Sequence, residues 1–435
     1  MISNTEEYGK HFASITRPVR ILHMANGIDG GAGLGLVRLH AALLQYGIDS
    51  RILVSALPPD DKTSRTTVCS KLHGTDILRK LFPAILHKMD IWHSPYYRGK
   101  LAELYAKQRW NRFFHSGRSV RRLDSENCVR WADIVHLHWV GNMLDVPTFF
   151  RRVHKPIVWT LRDEWPLIGG FHYRTDMPEN LPGWISRIDA DSQRLKELAY
   201  QRHGNITFVS LSSAMAEFAK STTAGAGRVI RVIPNPIDGR LFRPGDGLSV
   251  RREFGIDPGS IVISFVAQRI NDSRKGLSDL LKATSTLGID KPVIICVGSG
   301  EPPSGVPDRV RVICTGPVSD PFRLSAIYSA STLFAAPSKA ESFGKTLTEA
   351  LACGIPVVSY PNDGAKDILH EKVGVLASSF SPIAFRDAMQ KALSRSFDPT
   401  ETRRDALSRF SAETVAAAHA RLYNHLLEQR QPFAD

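Results

Sequence analysis

Cysteine is scarce in this 435-residue chain: Cys69, Cys128, Cys296, Cys314 and Cys353 are all of it. An odd count without paired spacing predicts neither a disulfide framework nor a zinc site, and suits a reducing cytosol. Long apolar runs are missing too, so no membrane span is expected. The residues Met1–Tyr8 lack a basic start followed by an apolar core, which predicts no signal peptide and a cytoplasmic location. Helix-turn-helix, zinc-finger and RNA-recognition patterns are absent, which ranks nucleic acid last among partners despite the positive charge. The glycine-rich stretch Gly30, Gly31, Ala32, Gly33 lacks the Gly-x-Gly-x-x-Gly spacing of a dinucleotide site.

The length suits two domains. Hydrophobic residues make up 43% and charged residues 23%, the balance of a globular protein. The formal charge is +13. Basic residues concentrate between Arg79 and Arg130, among them Lys80, Lys88, Arg98, Lys100, Lys107, Arg109, Arg112, Arg118, Arg121 and Arg122. Trp92, Tyr96, Tyr97, Trp110, Phe113 and Phe114 are interleaved. Two readings fit. One is a solvated helical face with core aromatics. The other is a peripheral docking face for an anionic membrane surface, with aromatics at headgroup depth.

The chain opens with a strand at Arg20–Met24, a glycine-rich loop, a helix with Val37, Leu39, Leu43 and Leu44 on its apolar side, and a strand over Ile48–Val54. This is a βαβ start. A poorly patterned insert covers roughly 55–130. Strands are expected at 133–139, 156–161, 205–211 and 229–233. A second cycle follows, with strands at 260–266, 293–297, 310–314 and 332–336. The two α/β halves meet near Pro234–Pro244. They predict two doubly wound, Rossmann-like domains, over 1–237 and 238–411, facing a central cleft.

Residues 338–358 carry the most chemistry. Glu341 lies in a loop and Glu349 in the apolar helical run of Leu347, Ala350, Leu351 and Ala352, which Gly354 ends before the strand Ile355–Val358. Glu349 is expected about two turns into that helix. An eight-residue step at about 100° per residue returns near the starting face, which would aim both carboxylates into one cleft. Either acid alone is an ordinary helix-start residue. Together, Glu-Ser-Phe-Gly followed by Glu-Ala-Leu-Ala-x-Gly-Ile-Pro-Val-Val resembles the donor-binding signature of retaining nucleotide-sugar glycosyltransferases, the family 4-like group of the GT-B fold.

That resemblance implies specific roles. Glu341 would hold hydroxyls of the transferred sugar and Glu349 the ribose, with Ser342 and the backbone of Phe343 and Gly344 beside the donor. Arg269 and Lys275, six residues apart after a strand, would hold the diphosphate, with Arg274 as a substitute for Lys275. Their charge would stabilise the leaving group without a metal, so no cofactor and no metal ligand are expected. The loop bearing Gly31 and Gly33 would face the diphosphate and acceptor. The last helix, about 412–428, would cross back to the first domain.

The segment Thr160–Tyr173 resembles the bacterial exopolysaccharide, colanic-acid-type enzymes, whose pattern is Thr-Leu-His-Asp-x-Trp followed by Gly-x-Cys-His-Tyr. Arg162 stands where the histidine is usual, and Phe171 where the cysteine is. Arginine can neutralise phosphate but is no base near neutral pH. Arg162 and Asp163 are catalytic candidates, and His172 and His138 are acceptor-side candidates. His136 and His138 also fit buried, satisfied positions on a strand. Asp189 and Asp191 are read as surface charge. The resulting expectation is a retaining hexosyltransferase. It would use a UDP- or GDP-sugar and a glycan, lipid-linked acceptor in surface polysaccharide synthesis. A nucleotide-sugar epimerase on the same fold, or a non-catalytic binder of nucleotide-sugars or anionic lipid, are the alternatives.

Overall fold

The computed structural model describes residues 17–57, 65–68, 95–110, 112–301 and 306–429. Lys80, Lys88, Trp92 and Cys69 of the expectations above lie outside these residues. Two compact units divide the chain. The first takes residues up to Ser210, Met215–Ile233 and the residues from Ala416 on; the second takes Leu211–Ala214 and Pro234–Val415.

In the first unit, Arg20–Ala25 (β1), Asp49–Val54 (β2), Thr66–Val68 (β3), Ile134–Leu137 (β4), Ile157–Leu161 (β5), Ile206–Ser210 (β6) and Val229–Val232 (β7) form one sheet. Its order is β3-β2-β1-β4-β5-β6-β7, and every described pair is parallel. Strands β4, β5 and β6 are buried at every position, as continuous apolar runs in a sheet covered on both faces require. The helices Gly30–Gln45 and Ala412–Glu428 belong to the same unit through most of their length. The hydroxyl of Tyr423, on the second of these, lies 2.7 Å from Nδ1 of His136 on β4.

In the second unit, Val262–Arg269 (β8), Val293–Ser299 (β9), Arg311–Gly316 (β10), Leu333–Ala336 (β11), Val357–Ser359 (β12) and Gly374–Leu376 (β13) form a sheet of order β10-β9-β8-β11-β12-β13. In both sheets the order reverses beside the first strand. The switch points therefore fall between β1 and β4 and between β8 and β11, where the carboxyl ends of parallel strands receive ligands.

The insert is less featureless than its pattern suggests. Pro95–Trp110 is a helix that buries Ala102 and Ala106. Phe114 makes an antiparallel bridge with Phe171, their rings 5.0 Å apart. Phe171 is fully buried with Phe114, Ile185 and Ile188, so the residue that replaces the usual cysteine serves as packing. No helix among the described residues is long and apolar enough to cross a membrane.

Candidate active site

The loop after β8 and the loop after β11 are fastened together in the second unit. Arg269 ends β8 with its side chain exposed. Lys275 closes the short turn Ser273–Lys275, and Gly276 follows at φ 77°. A Cβ there would stand 2.2 Å from the Pro337 carbonyl oxygen, so only glycine allows this approach. The Lys339 amide donates to the Arg274 carbonyl at 2.8 Å. Across this seam Lys275 Nζ donates to Glu341 Oε1, and Ser338 Oγ donates to the same oxygen at 2.9 Å. The cation expected for phosphate and the acid expected for sugar thus meet at the switch point. Arg274 instead pairs with Asp272 at 3.0 Å.

Glu349 is placed differently from the helical expectation. The helix begins at Lys345, with Gly344 at φ 94° as its cap, so Glu349 is just past its first turn rather than two turns in. Glu341 lies outside the helix. Its position comes from the loop seam, and the helical period says nothing about a shared face. Glu349 is 4% exposed, and Oε2 accepts from the Tyr328 hydroxyl at 3.1 Å. The Phe343 ring packs against Phe410, with centroids 5.7 Å apart. Its side chain is therefore core, in keeping with the expectation that only its backbone stands beside the donor. Ser342 is half-buried beside it.

The glycines near the start of the chain are the first turn of a helix, not a loop: that helix is Gly30–Gln45. A Cβ on Gly33 would stand 2.1 Å from the Ile28 carbonyl carbon. Gly31 is exposed, with nothing within 4 Å of its Cβ position. One glycine is needed for packing; the other leaves open space.

At the first unit's strand ends, Trp139 follows β4 and Asp163 follows β5. Asp163 Oδ2 accepts from Trp139 Nε1 at 2.8 Å and lies 2.5 Å from His172 Nδ1; Oδ1 accepts from the Trp165 amide at 3.1 Å. His172 Nε2 lies 2.6 Å from His115 Nδ1. Both ring nitrogens of His172 are engaged, which corrects its reading as a direct acceptor contact. Nor is His138 at the surface: it is 2% exposed, with Nε2 2.9 Å from His23 Nδ1 and Nδ1 3.2 Å from Arg162 Nη2. Arg162 is itself buried, and burial lowers its pKa to about 9.

His23, His136 and His138 bring nitrogens within 4.8 Å of one another, a spacing open to a metal ion. The protons argue against it. The Arg162 guanidinium can only donate, so His138 Nδ1 accepts and Nε2 carries the hydrogen toward His23. Neither nitrogen of His138 then has a lone pair for a metal. The nitrogens of His136 are bound to the hydroxyls of Tyr423 and Thr160, each at 2.7 Å. Burial holds all three imidazoles well below their ordinary pKa, hence neutral.

Asp189 is not a surface charge. Its carboxylate accepts from the Gly170 amide at 2.7 Å, and burial raises its pKa. Two turns on, Lys196 is fully buried and donates to the Trp165 carbonyl and, at 2.7 Å, to that of Gly169. Burial lowers its pKa to about 7. Neither Lys196 nor His115 belongs to a motif in the sequence. The seven-residue step from Asp189 to Lys196 is the one signal that placed both on one helix face. His115 had none.

A family profile described as "Glycosyl transferases group 1" matches residues 260–395. D-inositol 3-phosphate glycosyltransferase 2 of Catenulispora acidiphila is 32% identical over 342 residues, which is 72% of this chain and 75% of the relative. The chain belongs to the group 1 glycosyltransferases. D-inositol 3-phosphate glycosyltransferase of Segniliparus rotundus is 37% identical over 166 residues, so the chain spans 36% of that relative's length and the match takes 35% of this chain. The Anabaena protein HepE, crystallised with UDP-glucose, superposes with a TM-score of 0.63 at 16% identity, covering 93% of this chain and 99% of its own. That likeness carries the GT-B fold. The names of these relatives do not carry the narrower exopolysaccharide placement. Arg269, Lys275, Glu341 and Glu349 of this glycosyltransferase fall inside the profile match; Arg162, Asp163 and His172 fall before it.

Proposed function

We propose that the chain is a retaining hexosyltransferase that takes its sugar from a UDP- or GDP-linked donor. The contact of Lys275 with Glu341 at the β8/β11 switch point carries this reading. When the anomeric carbon leaves the diphosphate, negative charge grows on the departing oxygen. Arg269 and Lys275 supply cations fixed in advance, where a divalent ion would otherwise serve. An ammonium has three donors, so Lys275 can keep Glu341 while turning another N–H to phosphate. Glu341, oriented by Ser338, accepts from sugar hydroxyls, and Glu349, held by Tyr328, from the ribose diol. The acceptor oxygen bonds to the anomeric carbon on the face the diphosphate leaves, and its proton goes to the departing phosphate oxygen. Positioning and electrostatics do most of the catalysis.

The acceptor favoured by the relatives' names is a phosphorylated cyclitol. A lipid-linked glycan is the second reading. It is supported by the helix Pro95–Trp110, where Leu101 and Leu104 are exposed beside Lys107 and Arg109. The test is nucleotide release from a panel of UDP- and GDP-sugars, with inositol 3-phosphate, with a membrane lipid extract, and with neither. Release that depends on an acceptor is expected, and the acceptor that triggers it chooses between the readings. Epimerised donor, or binding without turnover across the panel, would overturn the transferase.

A further inference from the structure

Asp163 ends a chain of side chains that runs into the insert. From Asp163 it passes through His172 to His115, whose Nε2 lies 3.9 Å from Glu103 Oε1. Glu103 is itself anchored, by Lys100 at 2.7 Å and by Asn142 at 2.8 Å. The proton positions follow from the fixed donors. Trp139 Nε1 and the Trp165 amide both donate to Asp163, so both of its oxygens act as acceptors here. Trp139 Nε1 also lies 3.1 Å from His172 Nδ1, but its shorter contact is the one to Asp163 at 2.8 Å, which leaves His172 Nδ1 to donate to Asp163. A neutral His172 keeps one lone pair, on Nε2, and His115 Nδ1 fills it as donor.

The backbone holds His115 for this task. Its amide donates to the Gly170 carbonyl at 2.8 Å, and its carbonyl accepts from Trp165 Nε1 at 2.7 Å. The ring lies where residue 141 must be glycine: a Cβ there would stand 2.4 Å from His115 Nδ1. Burial, with Lys100 from the insert helix and Lys196 from the helix Gly183–His203, keeps His115 neutral. The other charged groups facing the network are Glu103, Asp163 and Asp189, the last through Lys196. The exposed ring of Phe113 covers it, 5.9 Å from both Trp139 and His172.

We propose that His115 is a positioning residue for the acceptor side of the reaction, holding His172 in the tautomer that donates to Asp163 and so fixing that carboxylate for an acceptor hydroxyl. The role in turnover rests on the transferase reading above. The insert, which the family resemblance does not cover, thereby supplies a working part of the site.

The test compares His115→Leu with His115→Gln, whose amide can still donate to His172. In His115→Leu, His172 Nε2 loses its donor. Nitrogen-15 NMR of the imidazoles should show His172 Nε2 as a hydrogen-bonded acceptor in wild type and as an unbonded one in His115→Leu. Turnover of His115→Leu should fall on the order of 100-fold, with donor Kd unchanged. His115→Gln should recover most of the rate and the hydrogen-bonded Nε2 signal. Equal loss of turnover in both variants would overturn the proposal. So would a His172 Nε2 signal that is unchanged in His115→Leu. If wild type shows no acceptor-dependent turnover, the transferase reading fails and the NMR result decides the positioning role alone. Should His115→Leu fail to fold, an unbonded His172 Nε2 in folded His115→Gln with wild-type turnover would overturn it.

Discussion

Lys275 has two partners to serve: Glu341, which it already holds, and the diphosphate assigned to it. The pair is partly exposed, at 31% and 22%, so its contribution to stability is small, about 0–1 kcal/mol. Lys275→Ala should therefore leave the urea midpoint nearly unchanged while kcat falls at least tenfold. A variant that mainly loses stability would make Lys275 a structural seam. The sequence showed this residue and Glu341 well, because each belongs to a long local string. It did not show that they touch, since the contact is made by two loops 66 residues apart. Arg162 was visible as a departure from pattern. Its burial against His138 was not, because nothing local requires an arginine to turn inward.

Helices and turns were legible where period and punctuation agreed. The last helix, Ala412–Glu428, has the bounds expected of it. The insert helix Pro95–Trp110 fits the reading of a solvated helical face, but its bounds are not legible because its apolar positions do not gather on one side: its buried contacts are the small Ala102 and Ala106, and Leu101 and Leu104 face outward. The opening glycines looked like a loop because glycine is a poor helix former. They are tolerated in a first turn because the Ile28 backbone crosses too closely for a side chain at 33. Gly33→Ala should cost about 1–3 kcal/mol through that clash. Gly31→Ala should hold or raise stability by up to about 1 kcal/mol, and lower kcat/KM if this turn meets the diphosphate. Thermal melts and steady-state rates on the two variants separate the roles.

Across the whole molecule, buried bases set the pH response. His23, His115, His136 and His138 have folded pKa values far below the ordinary 6.5. Below 6.5 the unfolded chain takes up protons that the folded chain refuses, so stability falls as pH falls, each group contributing up to about 1.4 kcal/mol per pH unit. Lys196 extends the same sign upward. Folded it titrates at about 7 and unfolded near 10.5, so between these values the unfolded chain holds a proton the folded chain lacks; stability rises as pH climbs through that interval and is flat with respect to this group below about 7. Urea unfolding at a series of pH values should show stability rising from acid to mildly alkaline conditions. Lys196→Met should flatten the rise between 7 and 10.5.

The bond between His136 and Tyr423 joins residues 287 apart, and the second unit is written almost entirely between them. On the ribosome, β4 emerges long before its partner exists. The second unit can finish folding while the first still exposes a histidine-rich sheet face, and the first lacks this contact until Tyr423 has emerged. A chain cut before Ala416 should therefore keep a folded second unit and lose the first. On that expectation, the unit begun first is the unit completed last.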